Sequence, residues 1–425
     1  MAEQSPTGGA GRVRPQVSGT FDGQGAERLT RVKQRIREAA EQARGEVVDL
    51  SHAVHADPEI AFEEIRTAAK LITVLERHGF SVETGVANLD TAFVASYGTG
   101  PFVVGICAEM DALPGVGHAC GHNIIAASGV LAGISLAAVA DELDLTVKVF
   151  GTPAEEYGGG KILMLNEGVF DGVHAAMMLH PGEEENADHV TRAVVDLEIE
   201  YTGKPAHSAE APHQGVNAGD AATVAQVAIG LLRQHLQPGE LVHGIVRSAG
   251  DAPNVVPHRA RLAYDARADT LAQLEGPGGA KERLLRCFEA GALATGCTLE
   301  VHDDWPAFSE FRNDDPMVAA YRANAESLGR VFTDAPMSRR RRLAGSTDMA
   351  NVSLRVPAIH PTILVEAEGA TCHEPEFERY CALPAADTAM WEGGLSLAWT
   401  AADMAADPAQ RERLARTAEE LASRD

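Results

Sequence analysis

Phe102-Val-Val-Gly-Ile-Cys107 runs into Ala108-Glu109-Met110-Asp111-Ala-Leu-Pro-Gly-Val-Gly117-His118-Ala-Cys120-Gly-His122-Asn123, and that loop runs into an apolar segment over residues 124–140. A short apolar, β-branched run bounded by glycine reads as a buried strand, and the segment after the loop reads as a helix. The segment is shorter than the roughly 20 residues that cross a bilayer. It also carries Ser128, Ser135 and two glycines, so it belongs in a protein core. Strand, Gly-rich loop and core helix in this order form the unit of an open α/β sheet. Such sheets bind ligands outside the carboxyl ends of their strands, where this loop must lie.

The same alternation extends to both sides. Upstream, helical periodicity covers residues 26–56 and 63–78, the second stopped by Gly79, and short strands follow at 82–84 and 91–97. Downstream come a strand at 145–150, a helix at 161–166 and a strand at 175–179, which predicts a mostly parallel sheet. The middle of the chain differs: strand 194–202, amphipathic helix 218–234, strand 259–267, helix 281–294 and strand 298–302. Two helices on one sheet in a βαββαβ order predict a small inserted α+β, ferredoxin-like domain. From Trp305 the helix-strand alternation resumes through a strand at 358–365, and a last helix at 388–402 precedes a charged tail. The expected division is a flexible tail at 1–25, an α/β domain at 26–193 and 305–425, and the insertion at 194–304.

Composition narrows the function. The chain has 36 Lys and Arg against 61 Asp and Glu, a net charge of −25, and such a surface repels a phosphate backbone. Nucleic acid is therefore not expected as a partner, nor is a membrane. The one strong basic run, Arg339 to Arg342, reads as a solvated loop or a contact for an anionic substrate. Six cysteines (Cys107, Cys120, Cys287, Cys297, Cys372, Cys381) show no dense framework spacing, so a reducing cytoplasm is expected. The first 25 residues lack the apolar stretch of a signal peptide.

Chemistry concentrates at three successive strand ends. Cys120 and His122 are two residues apart in a Gly-rich loop and can face one cation, with Asp111 available to orient the imidazole. The strand at 145–150 runs into Gly151-Thr-Pro-Ala-Glu155-Glu156, and the strand at 175–179 into His180-Pro181. Taken singly, each has a bland reading: a buried thiol, an acidic helix start, a hydrogen-bonded imidazole. Taken together, Cys, His, Glu and His at adjacent strand ends are what a shared cation site requires. One carboxylate of the Glu155-Glu156 pair can hold the metal while its neighbour takes a proton from water. A cation lowers the pKa of bound water from 15.7 toward neutrality and polarises a carbonyl, so hydrolysis of an amide is the implied reaction.

These motifs resemble the aminoacylase and carboxypeptidase family of metallohydrolases, in its amidohydrolase branch of hippurate, auxin-conjugate and aminobenzoyl-glutamate hydrolases. The resemblance covers nearly the whole chain after residue 25. Besides the loops above it rests on His52-Ala-Val-His55-Ala-Asp57-Pro58-Glu59 with Phe62-Glu63, Gly203-Lys-Pro-Ala206-His207-Ser208-Ala209, Asn217-Ala218, Pro253-Asn254-Val255-Val256-Pro257, Gly345-Ser-Thr-Asp348 and His373. It implies Cys120, His122, Glu156, His180 and His373 as ligands of one or two divalent ions, manganese or zinc, with Cys120 bridging. It implies Glu155 as general base, Asp111 as the acid behind the ligands, His207 as an oxyanion contact reaching a partner subunit's site, and Asn254 as a substrate contact. The insertion would then be a dimerisation and lid domain, giving a homodimer or higher homo-oligomer. Departures at Glu109, Asn123 and Thr347 look most like the aminobenzoyl-glutamate and dipeptide-cleaving members.

The expected activity is cleavage of the C–N amide bond of a small N-acyl or N-aroyl amino acid, aminobenzoyl-glutamate-like, or of a dipeptide. Alternatives are hydrolytic deamination of an activated aromatic amine, a carboxypeptidase for longer peptides, and a non-catalytic metal-binding scaffold. Retention of Glu155 beside a full ligand set argues against the last.

Overall fold

The buried strand that begins at Phe102 is the middle of a six-stranded sheet in a computed structural model, which describes residues 23–333 and 345–423. The elements in order are α1 (Gly23–His55), α2 (Ile65–Arg77), β1 (Ser81–Thr84), β2 (Phe93–Tyr97), β3 (Phe102–Glu109), α3 (His122–Ala137), α4 (Ala140–Leu143), β4 (Leu145–Thr152), α5 (Gly160–Asn166), β5 (Ala175–Met177) and β6 (His180–Gly182). A second group follows: β7 (Ala193–Thr202), α6 (Ala218–Leu232), β8 (Leu241–Ser248), β9 (Arg259–Ala268), α7 (Leu271–Glu275), α8 (Ala280–Thr295) and β10 (Thr298–His302). The chain closes with α9 (Asp315–Ser327), α10 (Met349–Ser353), β11 (Ala358–Ile359), β12 (Thr362–Leu364), α11 (Pro375–Tyr380), α12 (Pro384–Ala406) and α13 (Pro408–Ala422).

The large sheet has the order β1-β2-β4-β3-β5-β11. β4, β3, β5 and β11 are parallel neighbours, while β2 runs antiparallel to β4 and β1 antiparallel to β2. β3 is buried from Val104 to Glu109, and α3 is buried at every residue from His122 to Leu136, as a helix sandwiched between the sheet and α1 and α12 must be. One apolar core lies among α1, α2, α3, α9, α12 and the sheet; a second joins α5 and α10 to Phe150, Ala176 and Met178. Among the described residues no helix is long and apolar enough to cross a membrane.

Residues 193–302 build a separate four-stranded antiparallel sheet, order β10-β7-β9-β8, with its own core shared with α6 and α8. Asn217 starts α6 by accepting from the backbone N–H of Gly219 and Asp220.

Several expectations are corrected. β8 has no counterpart among the expected strands, because an edge strand with Val242 as its one buried residue carries no alternating signal. The strand read at 175–179 ends at Met177, and the one read at 358–365 is interrupted at His360 and Pro361, where the proline lacks an amide to donate; the parallel ladder resumes at His180 and Thr362, with Pro181 paired opposite Ile363. The core helix starts at His122 and ends at Ala137. The charged tail contains α13, capped by Asp407 on Ala409 N and pinned by buried Leu414 and Ala418. Of the tail expected at 1–25, residues 23–25 are helical and the rest lies outside the described residues, as does the Arg339 to Arg342 run.

Candidate metal centre

Two strand ends of the large sheet converge with the start of β6, which pairs with β12 beside it, and the local backbone explains how. After β3 the chain passes through Asp111 to Cys120 and Gly121, which adopts a left-handed conformation (φ 73°) immediately before α3. A Cβ there would lie 2.5 Å from Pro181 Cγ, so only glycine lets the loop close over β6 with Cys120 and His122 on one side. After β4, Ala154 is also left-handed (φ 57°), with its N–H donating to Glu64 Oε1 at 2.9 Å, and this reversal turns Glu155 and Glu156 into the cleft. The third side is His180, first residue of β6. His373 arrives from the loop before α11 with φ 73°, its N–H donating to Ala119 O at 2.9 Å.

The donors form three groups, two of which share Cys120, while the third joins Glu109, His122 and Glu155. Ligand atoms of Cys120, His122 and His180 lie within 4.8 Å of one another, and so do those of Cys120, Glu156 and His373. Cys120 Sγ is 3.5 Å from His180 Nε2, and Glu156 Oε2 is 3.6 Å from His373 Nε2. His122 donates from Nδ1 to Asp111 Oδ1 at 3.1 Å, and His180 from Nδ1 to Pro181 O at 2.6 Å, so each turns its Nε2 toward the cleft. Asp111 Oδ2 also accepts from Glu156 N at 2.9 Å, tying two strand ends together.

Electrostatics matches a missing positive charge. Burial, then the Glu109 and Glu156 carboxylates, push the Glu155 carboxyl well above the usual range. The Cys372 contact, burial and Glu156 push the Cys120 thiol well above its ordinary value. Burial works to lower His122, but Glu109, Asp111 and Glu156 outweigh it and hold the imidazole well above the ordinary value in the metal-free chain. His180 is held low by burial, neutral as a ligand must be. Buried Glu109 Oε1, His122 Nε2 and Glu156 Oε1 make no hydrogen bond. Polar atoms left without partners in a dry interior are costly, and a divalent cation is what satisfies a carboxylate, an imidazole and a thiolate together. The residues therefore fit a metal.

The centre opens into a cavity of ≈ 960 Å³ that also reaches Glu183, Glu184, Asp196, Arg267 and His360. Asp111, Cys120, His122, Glu155, Glu156, His180 and His373 are thus brought together as the sequence predicts. His207 and Asn254 are not: they sit side by side on the small sheet's loops, where Ser208 N donates to Asn254 O at 3.0 Å, and neither lines this cavity. Sequence reasoning missed Lys161, fully buried against Glu109 and Asp348 Oδ1 (2.7 Å), and Glu64, the anchor of the Ala154 turn. Burial alone would lower the lysine, but Asp348 and Glu109 hold it well above its ordinary value and charged. A single lysine beside the apolar run Ile162-Leu-Met-Leu165 was the available signal.

With that geometry established, the relatives can be placed. The mouse Xaa-Arg dipeptidase is 35% identical over 412 residues, covering 93% of each chain. A chain of the p-aminobenzoyl-glutamate hydrolase of Escherichia coli K12 is 33% identical over 310 residues, covering 68% of this chain and 64% of its own. Among solved structures, an aminobenzoyl-glutamate utilization protein from Klebsiella pneumoniae shares the fold with a TM-score of 0.67 at 21% identity, over 87% of this chain and 98% of that one. Residues 105–389 match the profile of peptidase family M20/M25/M40. The chain belongs to that family and is a metal-dependent hydrolase of amide bonds in small acyl amino acids or dipeptides.

Proposed function

We propose that Cys120, His122, Glu156, His180 and His373 hold one or two manganese or zinc ions, that Glu155 is the general base, and that the substrate is a dipeptide with a cationic side chain on its amine half. The single observation that carries the ligand set is the pair of donor groups sharing Cys120, with unpartnered lone pairs facing the space between them. A bound divalent cation supplies an activated water and a polarised carbonyl. Asp111 and Pro181 O keep both imidazoles in the ligating tautomer. Glu155, buried and unligated, takes the proton from the attacking water and returns it to the leaving amine.

The cavity wall supports the choice of substrate. Beyond the metal centre it carries, among the described residues, Glu183, Glu184 and Asp196 against a single guanidinium, Arg267. Burial and the neighbouring Asp265 raise Asp196 to about 6, a carboxyl that a substrate cation would settle in its charged form. Arg267 suits the substrate's own carboxylate, while a second carboxylate, as in aminobenzoyl-glutamate, meets an acidic wall. The mouse relative, an Xaa-Arg dipeptidase by name, agrees with this choice.

A homodimer is part of the same reading. β8 is a free sheet edge with Leu241, Ile245 and Val246 exposed, and α6 exposes Val227 and Leu231. In a dimer built on this lid domain, residues 194–304, His207 and Asn254 of one copy complete the cavity of the other and hold the oxyanion and the substrate. Six unpaired cysteines support a cytoplasmic setting.

The test is a panel of dipeptides ending in Lys, Arg, Leu or Glu, with p-aminobenzoyl-glutamate and hippurate, on the manganese-loaded full chain. Cationic dipeptides should lead by at least about tenfold in kcat/KM, worth about 1.4 kcal/mol. Glu155→Gln should lower kcat by about 10²–10⁴ with metal content unchanged. Faster cleavage of the glutamate compounds would overturn the substrate choice, and a metal-loaded chain that turns over none of these amides would overturn the whole reading.

A further inference from the structure

Glu109 ends β3 with no exposed surface and divides its two oxygens between opposite tasks. Oε2 is gripped by Lys161 Nζ, which also meets Asp348 Oδ1 at 2.7 Å, while Asp348 Oδ2 accepts from Lys161 N at 2.8 Å. All three side chains have 0% exposure. Two carboxylates and one ammonium leave a net negative charge sealed in the interior, which an adjacent positive charge must balance, and the side that faces it is that of His122.

Oε1 points the other way, at His122 Nε2, 3.1 Å off, and neither atom makes a hydrogen bond. In the metal-free chain burial is outweighed by the neighbouring carboxylates, which keep His122 protonated, and this contact is an ion pair in which the imidazolium stands where a cation would. A metal that takes Nε2 displaces that proton while Nδ1 keeps its bond to Asp111, and Glu109 Oε1 then faces the same ion; ligand atoms of Glu109, His122 and Glu155 lie within 4.8 Å of one another. Donors about 2.0–2.2 Å from one cation, at angles from octahedral to tetrahedral, lie about 3.0–3.5 Å apart, and the observed separation falls inside that range.

We infer that Glu109 Oε1 is a further ligand of the cation held by His122, with Lys161 and Asp348 fixing the carboxylate from behind. This rests on the ligand set proposed above. The sequence disguises it, because Glu109 sits on a strand in an apolar run rather than in the Cys-Gly-His loop.

The test is metal binding by the full chain. Manganese and zinc are titrated in competition with a chelator, metal per chain is counted, and thermal melting of the metal-free protein checks folding. Glu109→Gln, which keeps the shape and loses the anionic donor, should weaken the cation at His122 by at least about tenfold. Glu109→Asp, which keeps the charge but withdraws the oxygen by one methylene, should weaken it as well. A wild-type crystal structure with manganese, which needs no variant to fold, should place Glu109 Oε1 about 2.0–2.3 Å from a cation. Unchanged affinity in a folded Glu109→Gln chain, or Oε1 beyond about 3 Å from every cation, would overturn the inference. Cys120→Ala separates the two readings. If it loses metal while Glu109→Gln does not, the inference alone fails; if it keeps its metal, the ligand set fails and the inference with it.

Discussion

Glu64 shows how much a side chain outside the cleft contributes to its shape. It has no exposed surface; one oxygen accepts from Ala154 N at 2.9 Å and the other from Thr91 Oγ1 at 2.9 Å. Burial first, and the nearby Asp111 carboxylate second, raise its pKa from 4.5 to about 7. A carboxyl whose folded pKa is raised binds its proton more tightly in the folded chain. Its contribution is complete below the unfolded value near 4.5 and is lost as pH climbs to about 7, a change of about 3 kcal/mol. Urea unfolding of the metal-free protein across that window should therefore show stability falling with pH in the wild type and falling less in Glu64→Gln. Parallel curves would reject the assignment. Nothing in Phe62-Glu63-Glu64 marks the third residue as buried, since an acidic residue before a helix ordinarily faces water; the Ala154 turn it anchors lies 90 residues away.

At the scale of elements, the loop between β3 and α3 offers a controlled comparison. Gly115 (φ 75°) and Gly121 (φ 73°) are both left-handed, yet an added Cβ meets nothing within 4 Å at Gly115 and Pro181 Cγ at 2.5 Å at Gly121. Gly115→Ala should cost about 1–2 kcal/mol from backbone conformation alone. Gly121→Ala should cost more than that and also weaken metal binding, since Cys120 and His122 flank it. Equal effects in denaturation and in chelator competition would show that the contact with β6 is unimportant. The sequence made this loop legible because Gly, Cys and His have few reasons to cluster after a buried strand. It did not reveal β8, whose exposed apolar residues obey no period, or the break in the ladder between β5/β11 and β6/β12, which depends on two distant strands being neighbours.

For the whole molecule, the two sheets divide the labour. The ends of β3 and β4 in the large sheet, the short β6 beside it and the loop before α11 supply the donors of the centre, and the small sheet contributes Val194, Asp196 and Arg267 to the cavity wall. The exposed edge of β8 and the Val227-Leu231 face of α6 predict self-association, and Leu231→Glu with Ile245→Lys should convert the protein to monomers in analytical ultracentrifugation. If His207 acts across the interface, that change also removes activity while leaving metal content intact; an unchanged sedimentation coefficient would reject the interface. This level was readable from the βαββαβ order, whereas the depth of each donor was not. His122 has 1% of its side chain exposed and His373 has 58%, although Cys120 belongs to both groups. The proposed pair would consequently be lopsided: an ion lodged between Cys120, His122 and His180 would be walled in by the strands, while one held through His373 would face solvent on a surface loop. Occupancy should then be graded, with a tenacious inner ion and an exchangeable outer one, so that the supply of metal in the surroundings tunes the catalyst by degrees.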